Sequence, residues 1–430
     1  MNIGVVGSGY VGLVTAACFA DLGNNVTCMD INKKKIESLK KGIIPIYEPK
    51  LEGLVKDGLR EGRLIFTTDL TATVKKSEII FIAVGTPPKD NGEADLSHVE
   101  AAAMRVAECM PSYRIIVEKS TVPVHTGKRI EEIIRKNNKR KIKFDVASNP
   151  EFLREGQAVD DFMHPDRIVL GVRGEKAKRA LTELYAVLKA PIVVTDIESA
   201  ELIKHASNSF LATKISFINS CSNICERSGA NILDVARGMG LDRRIGKEFL
   251  NAGIGFGGSC FPKDLDAFIS ISEKLGYDFG VLREVKRVNE EQKVFFVEKI
   301  KRMLNNVRGK TIGILGLSFK PDTDDMRCAP SIDIIAMLKN EGAKIKVFDP
   351  KAMENARNII KGVTFCEDPY SVAKDSDCLV IVTDWNEFKE MDLKKVKKIM
   401  KKPVIIDGRN IYEPEAVKKL GFKYAGIGRS

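Results

Sequence analysis

The run Gly7-Ser8-Gly9-Tyr10-Val11-Gly12, set directly behind the apolar segment Asn2–Val6, constrains the fold more than any other feature of the chain. Glycines at this spacing permit a tight turn, close approach of a pyrophosphate to the backbone, and close packing of a helix on a strand. The helix expected next, Leu13–Leu22, offers unpaired N–H groups and a positive dipole end to phosphates. Asp30 closes the second apolar run, Val26–Asp30. A carboxylate there accepts hydrogen bonds from a ribose 2′-hydroxyl and repels a 2′-phosphate, which favours NAD over NADP. Lys35, nearby, weakens that preference slightly. The plainer alternative is a tight turn that only caps a helix.

Apolar runs and helical stretches alternate from there on. Strands are expected at Leu64–Thr67, Ile79–Gly85, Ile115–Glu118, Asp145–Ser148, Arg167–Val172 and Ile192–Asp196. Near-continuous apolar strands imply a parallel sheet covered on both faces. From Glu198 to Arg227 there is no Pro or Gly, and Leu202, Phe210, Leu211, Ile215 and Ile218 recur at helical spacing. A helix that long is either a spine between domains with a dimer contact, or an internal core helix. Gly229–Asn306 is mainly helical, broken by the glycine-rich Gly253–Gly258. Strands resume at Thr311–Phe319, Lys344–Asp349, Val363–Phe365, Cys378–Thr383 and Val404–Asp407. The fold class expected is α/β, two Rossmann-like parallel-sheet domains joined by a long central helix. The divisions are 1–197 (dinucleotide-binding), 198–306 (helical, carrying a cysteine loop) and 307–430 (nucleotide-binding).

The net charge of +11 admits nucleic acid, an anionic surface or a phosphorylated small molecule as partner. Lys and Arg are scattered rather than clustered with stacking aromatics, so nucleic acid is not expected. The nine cysteines show no CxxC pair, which points to a reduced, cytoplasmic protein. The chain enters its first strand straight from Met1, so no signal peptide is expected. Its apolar runs are too short to span a bilayer, which needs about 20 residues.

Several strand ends carry polar residues where parallel sheets hold ligands. Thr86 in Gly85-Thr86-Pro87 and Thr121 in Ser120-Thr121-Val122-Pro123 are candidate cofactor contacts, or turn residues. Glu151 and Glu155 share a face if their segment is helical, and serve either proton transfer or capping. The segment Gly255-Phe256-Gly257-Gly258-Ser259-Cys260-Phe261-Pro262-Lys263-Asp264 is the most informative. Pro262 suits the first turn of a helix, so Cys260 stands at a helix N-terminus beside Lys263. Both features favour a reactive thiolate. Asp264 is a cap or orients a water. Lys204 and Asn208, one turn apart, are either surface polar residues or donors to a developing oxyanion. Gly313–Lys320 looks like a phosphate turn that has lost its third glycine, with Lys320 reaching a phosphate or sugar oxygen, and Asp322–Arg327 is a functional or solvated loop.

Together these motifs, with Asn149-Pro150-Glu151-Phe152 and Pro165-Asp166-Arg167-Ile168-Val169, resemble the UDP-glucose/GDP-mannose dehydrogenase family along essentially the whole chain. The resemblance implies NAD-dependent four-electron oxidation of UDP-glucose to UDP-glucuronate, in a homodimer made by the central helix, without a metal. It implies Cys260 as nucleophile, Lys204 and Asn208 as oxyanion donors, and Glu151, Thr121 and Asp264 managing protons and water. It implies NAD contacts at Gly7, Gly9, Tyr10, Val11, Gly12, Asp30, Lys35, Thr86, Thr121, Glu155, Lys263 and Arg327. Substrate contacts are implied at Glu151, Phe152, Leu153, Arg154, Lys204, Asn208, Phe249, Leu250, Asn251, Ala252, Gly253, Gly257, Lys320 and Arg409, and at Arg244 from a neighbouring subunit. GDP-mannose enzymes share Gly-Gly-Ser-Cys and remain the alternative. A two-electron hydroxy-acid dehydrogenase and a silent nucleotide-binding scaffold are more distant ones.

Overall fold

The computed structural model describes residues 1–89 and 92–429. The chain forms two compact units, Met1–Ser207 with Asp266–Gly276, and Asn208–Leu265 with the chain from Tyr277 onward.

The first unit holds an eight-stranded sheet: β1 Asn2–Val6, β2 Asn25–Met29, β3 Leu64–Thr67, β4 Ile79–Ile82, β5 Arg114–Glu118, β6 Phe144–Ser148, β7 Ile168–Val172 and β8 Ile192–Thr195. Its order is β3-β2-β1-β4-β5-β6-β7-β8. Ile3, Val5, Ile79, Phe81, Ile115 and Val117 bury on one face, and Val6, Ile80, Ile82 and Ile116 on the other. Burial on both faces is why these strands read as continuous apolar runs. The expectation of a uniformly parallel sheet needs one correction: β7 pairs antiparallel with β6, Ala147 opposite Val172, and β8 then follows β7 in parallel. Apolarity reports burial, not direction. The connection from β6 to β7 carries one six-residue helix, Ala158–Met163, and brings the chain back antiparallel.

The second unit holds β9 Thr311–Leu315, β10 Lys344–Phe348, β11 Thr364–Phe365, β12 Cys378–Ile381, β13 Val404–Asp407 and β14 Lys423–Ala425. All its pairings are parallel, in the order β11-β10-β9-β12-β13-β14. That order repeats the first six strands of the other sheet, so each has the doubly wound Rossmann arrangement. The strand order reverses between β1 and β4, and again between β9 and β12, leaving a crevice at the carboxyl ends.

A single helix runs from Ile197 to Ser228, 32 residues. The residues expected to form one apolar stripe on it divide: Ile218 is fully buried, whereas Leu202 and Phe210 are exposed. Phe217 and Ile224 are exposed too, so Phe210, Phe217 and Ile224 recur every seven residues on a solvent face. No helix of the described residues is long and apolar enough to cross a membrane.

Candidate active site

Gly7 follows β1 with φ +103°, a region that favours glycine, and its N–H bonds to Met29 O at 2.7 Å. A Cβ on Gly12 would lie 2.0 Å from Gly7 O, so helix and turn pack directly backbone on backbone. A Cβ on Gly9 would meet nothing within 4 Å, which leaves room for a ligand at the turn. The helix spans Tyr10–Asp21, starting three residues before the expected Leu13, because Gly12 packs from inside it. No side chain caps it, so its first N–H groups are left to an anion. Asp30 Oδ2 accepts from Ser8 N–H at 2.9 Å and Ser8 Oγ at 2.7 Å, and Oδ1 accepts from Asn32 N–H at 3.0 Å. Burial alone would raise this carboxyl, but the Asn32 and Ser8 hydrogen bonds outweigh it and hold the group below its ordinary range. Lys35 Nζ stands 3.7 Å from Oδ2. An ionised, partly exposed Asp30 above an uncapped helix start fits the adenosine diphosphate half of NAD. The Tyr10 hydroxyl bonds Glu48, which also takes the Gly156 and Ala158 N–H groups at 2.6 and 2.8 Å.

The loops behind β4 and β5 are tied together. Thr86 Oγ1 donates to Thr121 O at 3.0 Å, and Ser120 Oγ to Val84 O at 2.7 Å. Glu151 and Glu155 are both buried, but their segment is a loop, not the helix considered above. Glu151 Oε2 accepts the Leu153 N–H at 2.7 Å, which bends the chain locally. Its Oε1 lies 3.0 Å from Lys204 Nζ, both side chains nearly solvent-free. The Phe152 ring carries Arg167 at 3.6 Å and Lys204 at 5.4 Å from its centroid. Beneath them Lys119 donates to Asn149 Oδ1 at 3.0 Å, and burial pushes the Lys119 ammonium down to about 8 against the pull of Glu151. Lys119 and Asn149 were not singled out by the sequence reading. The only signal was a Lys closing an otherwise apolar strand.

In the second unit, Cys260 directly precedes the helix Phe261–Lys274, and its carbonyl accepts the Asp264 N–H at 2.8 Å. Its side chain therefore stands at the helix start, as the sequence implies. Lys263 is engaged otherwise: its Nζ donates to Asp264 Oδ1 at 2.7 Å. Asp264 is buried, and its Oδ2 accepts from Asn208 Nδ2 at 2.6 Å. The approach to the cysteine depends on glycine. A Cβ on Gly257 would lie 2.2 Å from Cys328 O, and one on Gly258 2.7 Å from the Phe319 ring. The Gly258 N–H also bonds Arg327 O at 2.9 Å, so the Asp322–Cys328 segment backs the cysteine loop. Three amides that sequence reasoning missed hold the loop's other end. Asn219 accepts the Gly253 N–H, Gln292 donates to Gly253 O, and Asn289 brackets both backbone groups of Phe256. Leu250 and Ala252 are buried, while Asn251 is exposed. Phe249 has φ +63° and its ring lies 6.0 Å from Phe261.

The turn after β9 copies the one after β1. Gly316 has φ +94° and bonds Phe348 O, as Gly7 bonds Met29 O. β9 is shorter than expected because this turn begins at Gly316, placing Lys320 in the loop with its Nζ 5.7 Å from the Phe319 ring centroid. Asp349 occupies the place of Asp30, but it is sealed. It receives Leu317 and Ser318 N–H, the Ser318 hydroxyl, Trp385 Nε1, and the Lys351 and Ala352 N–H groups. Asp349 is thus taken up by the protein's own donors, unlike the partly exposed Asp30. Arg409 is partly buried, donating to Val382 O at 2.7 Å and Gly255 O at 3.3 Å, and desolvation lowers its guanidinium. Three other arginines are held by nearby carboxylates: Arg154 by Asp161, Arg327 by Asp325 and Arg244 by Asp242. The Arg244 side chain is almost wholly exposed.

Two Rossmann sheets, one with a strand-end carboxylate left partly open and one with its counterpart sealed, and a cysteine at a helix start define an NAD-dependent dehydrogenase with a second nucleotide domain. Family models for the UDP-glucose/GDP-mannose dehydrogenase family match the chain throughout: its NAD binding domain over 1–189, its central domain over 198–291 and its UDP binding domain over 313–414. The chain belongs to this family. UDP-glucose 6-dehydrogenase TuaD of Bacillus subtilis is 51% identical over 429 residues, covering 100% of this chain and 93% of that protein. The UDP-glucose 6-dehydrogenase of Rhizobium meliloti is 48% identical, covering 100% of both. The structure of a UDP-glucose dehydrogenase from Pyrobaculum islandicum superposes with a TM-score of 0.92 at 40% identity, covering 100% of this chain and 98% of that one.

Proposed function

We propose that the chain oxidises the C6 alcohol of UDP-glucose to the carboxylate of UDP-glucuronate through a covalent intermediate on Cys260. The observation that carries the reading is Cys260 at a helix start, on a glycine loop, next to an Asp264 held by Asn208 and Lys263. NAD⁺ accepts the hydride in both oxidations. Gly7–Gly12, Val11 included, with Asp30 and Lys35 hold its adenosine half, and Thr86, Thr121, Glu155, Lys263 and Arg327 the remainder.

In the first oxidation the C6 hydroxyl loses its proton and C6 loses a hydride, giving an aldehyde. The Cys260 thiolate adds to the aldehyde carbon. Lys204 and Asn208 donate to the oxygen, which carries negative charge before it is protonated as a thiohemiacetal. In the second oxidation the thiohemiacetal loses its proton and a hydride, leaving a thioester. Water attacks that carbonyl, the C–S bond breaks, and carboxylate and thiol are released. Asp264, fixed by two donors, orients that water; Glu151, paired with Lys204, and Thr121 move protons. Glu151–Arg154, Phe249–Gly253, Gly257, Lys320 and Arg409 bind the nucleotide sugar.

The exposed Phe210, Phe217 and Ile224 stripe supports a homodimer through the central helix, with Arg244 reaching the neighbour's substrate. The division 1–197, 198–306, 307–430 follows the three roles. The scattered Lys and Arg favour a small-molecule substrate over nucleic acid as the partner of a cytoplasmic enzyme.

Steady-state turnover with UDP-glucose and GDP-mannose tests the assignment. A kcat/KM about 100-fold or more higher for UDP-glucose is expected, since a site hydrogen-bonded to one base rejects another. Turnover of GDP-mannose alone moves the enzyme to the sibling activity.

A further inference from the structure

The long helix does more than carry Lys204. One turn of it also holds Glu201 and His205, both buried, and both reach the loop that presents Thr121. Glu201 Oε2 accepts the His125 N–H at 2.7 Å, and its Oε1 accepts the Gly127 N–H at 2.6 Å. His205 Nε2 donates to Val122 O at 2.8 Å. The Glu201 carboxylate thus caps the helix Thr126–Asn137, whose own N-cap residue, His125, provides no side-chain bond. The approach is tight: a Cβ on Gly127 would lie 2.4 Å from Ile197 Cγ2. From Thr121 the connection continues through its carbonyl to the Thr86 hydroxyl. On its other side, Pro123–Thr126 lines a cavity of about 470 Å³, so packing there does not hold it.

We propose that Glu201 is a positioning residue, which holds Thr121 and, through it, Thr86 in register with Lys204 by accepting the His125 and Gly127 N–H groups. The proposal rests on the roles given above to Thr121, Thr86 and Lys204. Only an ionised carboxylate accepts both bonds, because a carboxyl proton would displace one N–H. The titratable groups around Glu201 are Glu118 on β5, Glu198 and His205 on its own helix, Arg173 behind β7, and His125 on the loop itself. Burial raises the Glu201 carboxyl to about 7, despite the Gly127 and His125 N–H groups. Glu118 is buried as well, and burial with the neighbouring Glu201 raises its carboxyl. The clasp is therefore complete above about pH 7 and loses one bond as the pH falls below it.

The test compares wild type, Glu201→Gln, Glu201→Ala and Thr121→Val in turnover and amide exchange, with circular dichroism confirming the fold. For Glu201→Ala, KM for NAD is expected to rise about 5- to 10-fold while KM for UDP-glucose stays within about 2-fold. Exchange at Gly127 should accelerate. In wild type, KM for NAD should rise as pH falls through 7. In Glu201→Gln, which keeps one acceptor, that limb should vanish and KM for NAD should be intermediate. Unchanged Gly127 exchange in Glu201→Ala, a retained pH limb in Glu201→Gln, or a fall in kcat with both KM values unchanged overturns the proposal. Wild-type kinetics in Thr121→Val, with Gly127 exchange still accelerated in Glu201→Ala, instead removes the role of Thr121 beneath it.

Discussion

Cys260→Ser is expected to lower steady-state NADH formation from UDP-glucose about a thousandfold or more, while UDP-glucose affinity changes little. A serine hydroxyl stays protonated where a thiol at a helix start ionises, so it adds poorly to an aldehyde. The lost interaction exists only along the reaction coordinate, and such losses fall on kcat rather than on binding. The thiol is one atom in a loop whose geometry is fixed elsewhere, by Gly257 under Cys328 O and by Asn289 around Phe256. Replacing sulfur by oxygen leaves those contacts in place, so the fold is retained and the kinetic loss belongs to the chemistry. Initial rates and isothermal titration with UDP-glucose measure the two quantities separately. A variant within about tenfold of wild type would remove Cys260 as nucleophile.

Lys204→Met has the second large effect, on stability as well as rate. The Lys204–Glu151 pair is 3.0 Å long, with side-chain exposures of 4% and 6%. Removing the ammonium leaves the Glu151 carboxylate buried without its ion partner, although it keeps the Leu153 N–H. Breaking such a pair costs about 3–5 kcal/mol. Lys119, which Glu151 also attracts, is already reduced to about 8 by burial and is a weak substitute. Loss of the oxyanion donor lowers kcat by about 10²–10³ in addition. Urea unfolding and initial rates at pH 7.5 measure both. Lys204→Met with Glu151→Gln should recover most of the stability and none of the rate, because neutralising Glu151 removes the unpaired charge but restores no donor.

The central strands of both sheets were legible because they are buried on two faces, as Ile3–Val6 and Ile312–Leu315 are. Direction was not, since β7 reverses with the same apolar residues that a parallel strand would use. β14 is three residues with only Tyr424 buried, too short for any periodicity. The cofactor turn and the cysteine loop were legible because glycine, proline and cysteine each narrow the local backbone or chemistry. The residues that hold these motifs were not. Glu48, Glu201, Asn219 and Asn289 are single polar side chains whose partners lie 33 or more residues away in the chain. Spacing carries no trace of such contacts. Asp349 stands at a strand end as Asp30 does, and only its six donors reveal that it is taken up by the protein itself.

The most direct test of the four-electron reaction is the NADH formed from limiting UDP-glucose with excess NAD⁺, read at 340 nm with the sugar product identified by mass. Two NADH per sugar, with UDP-glucuronate as product and no accumulating aldehyde, is the predicted result. One NADH per sugar, with the aldehyde as final product, would contradict it.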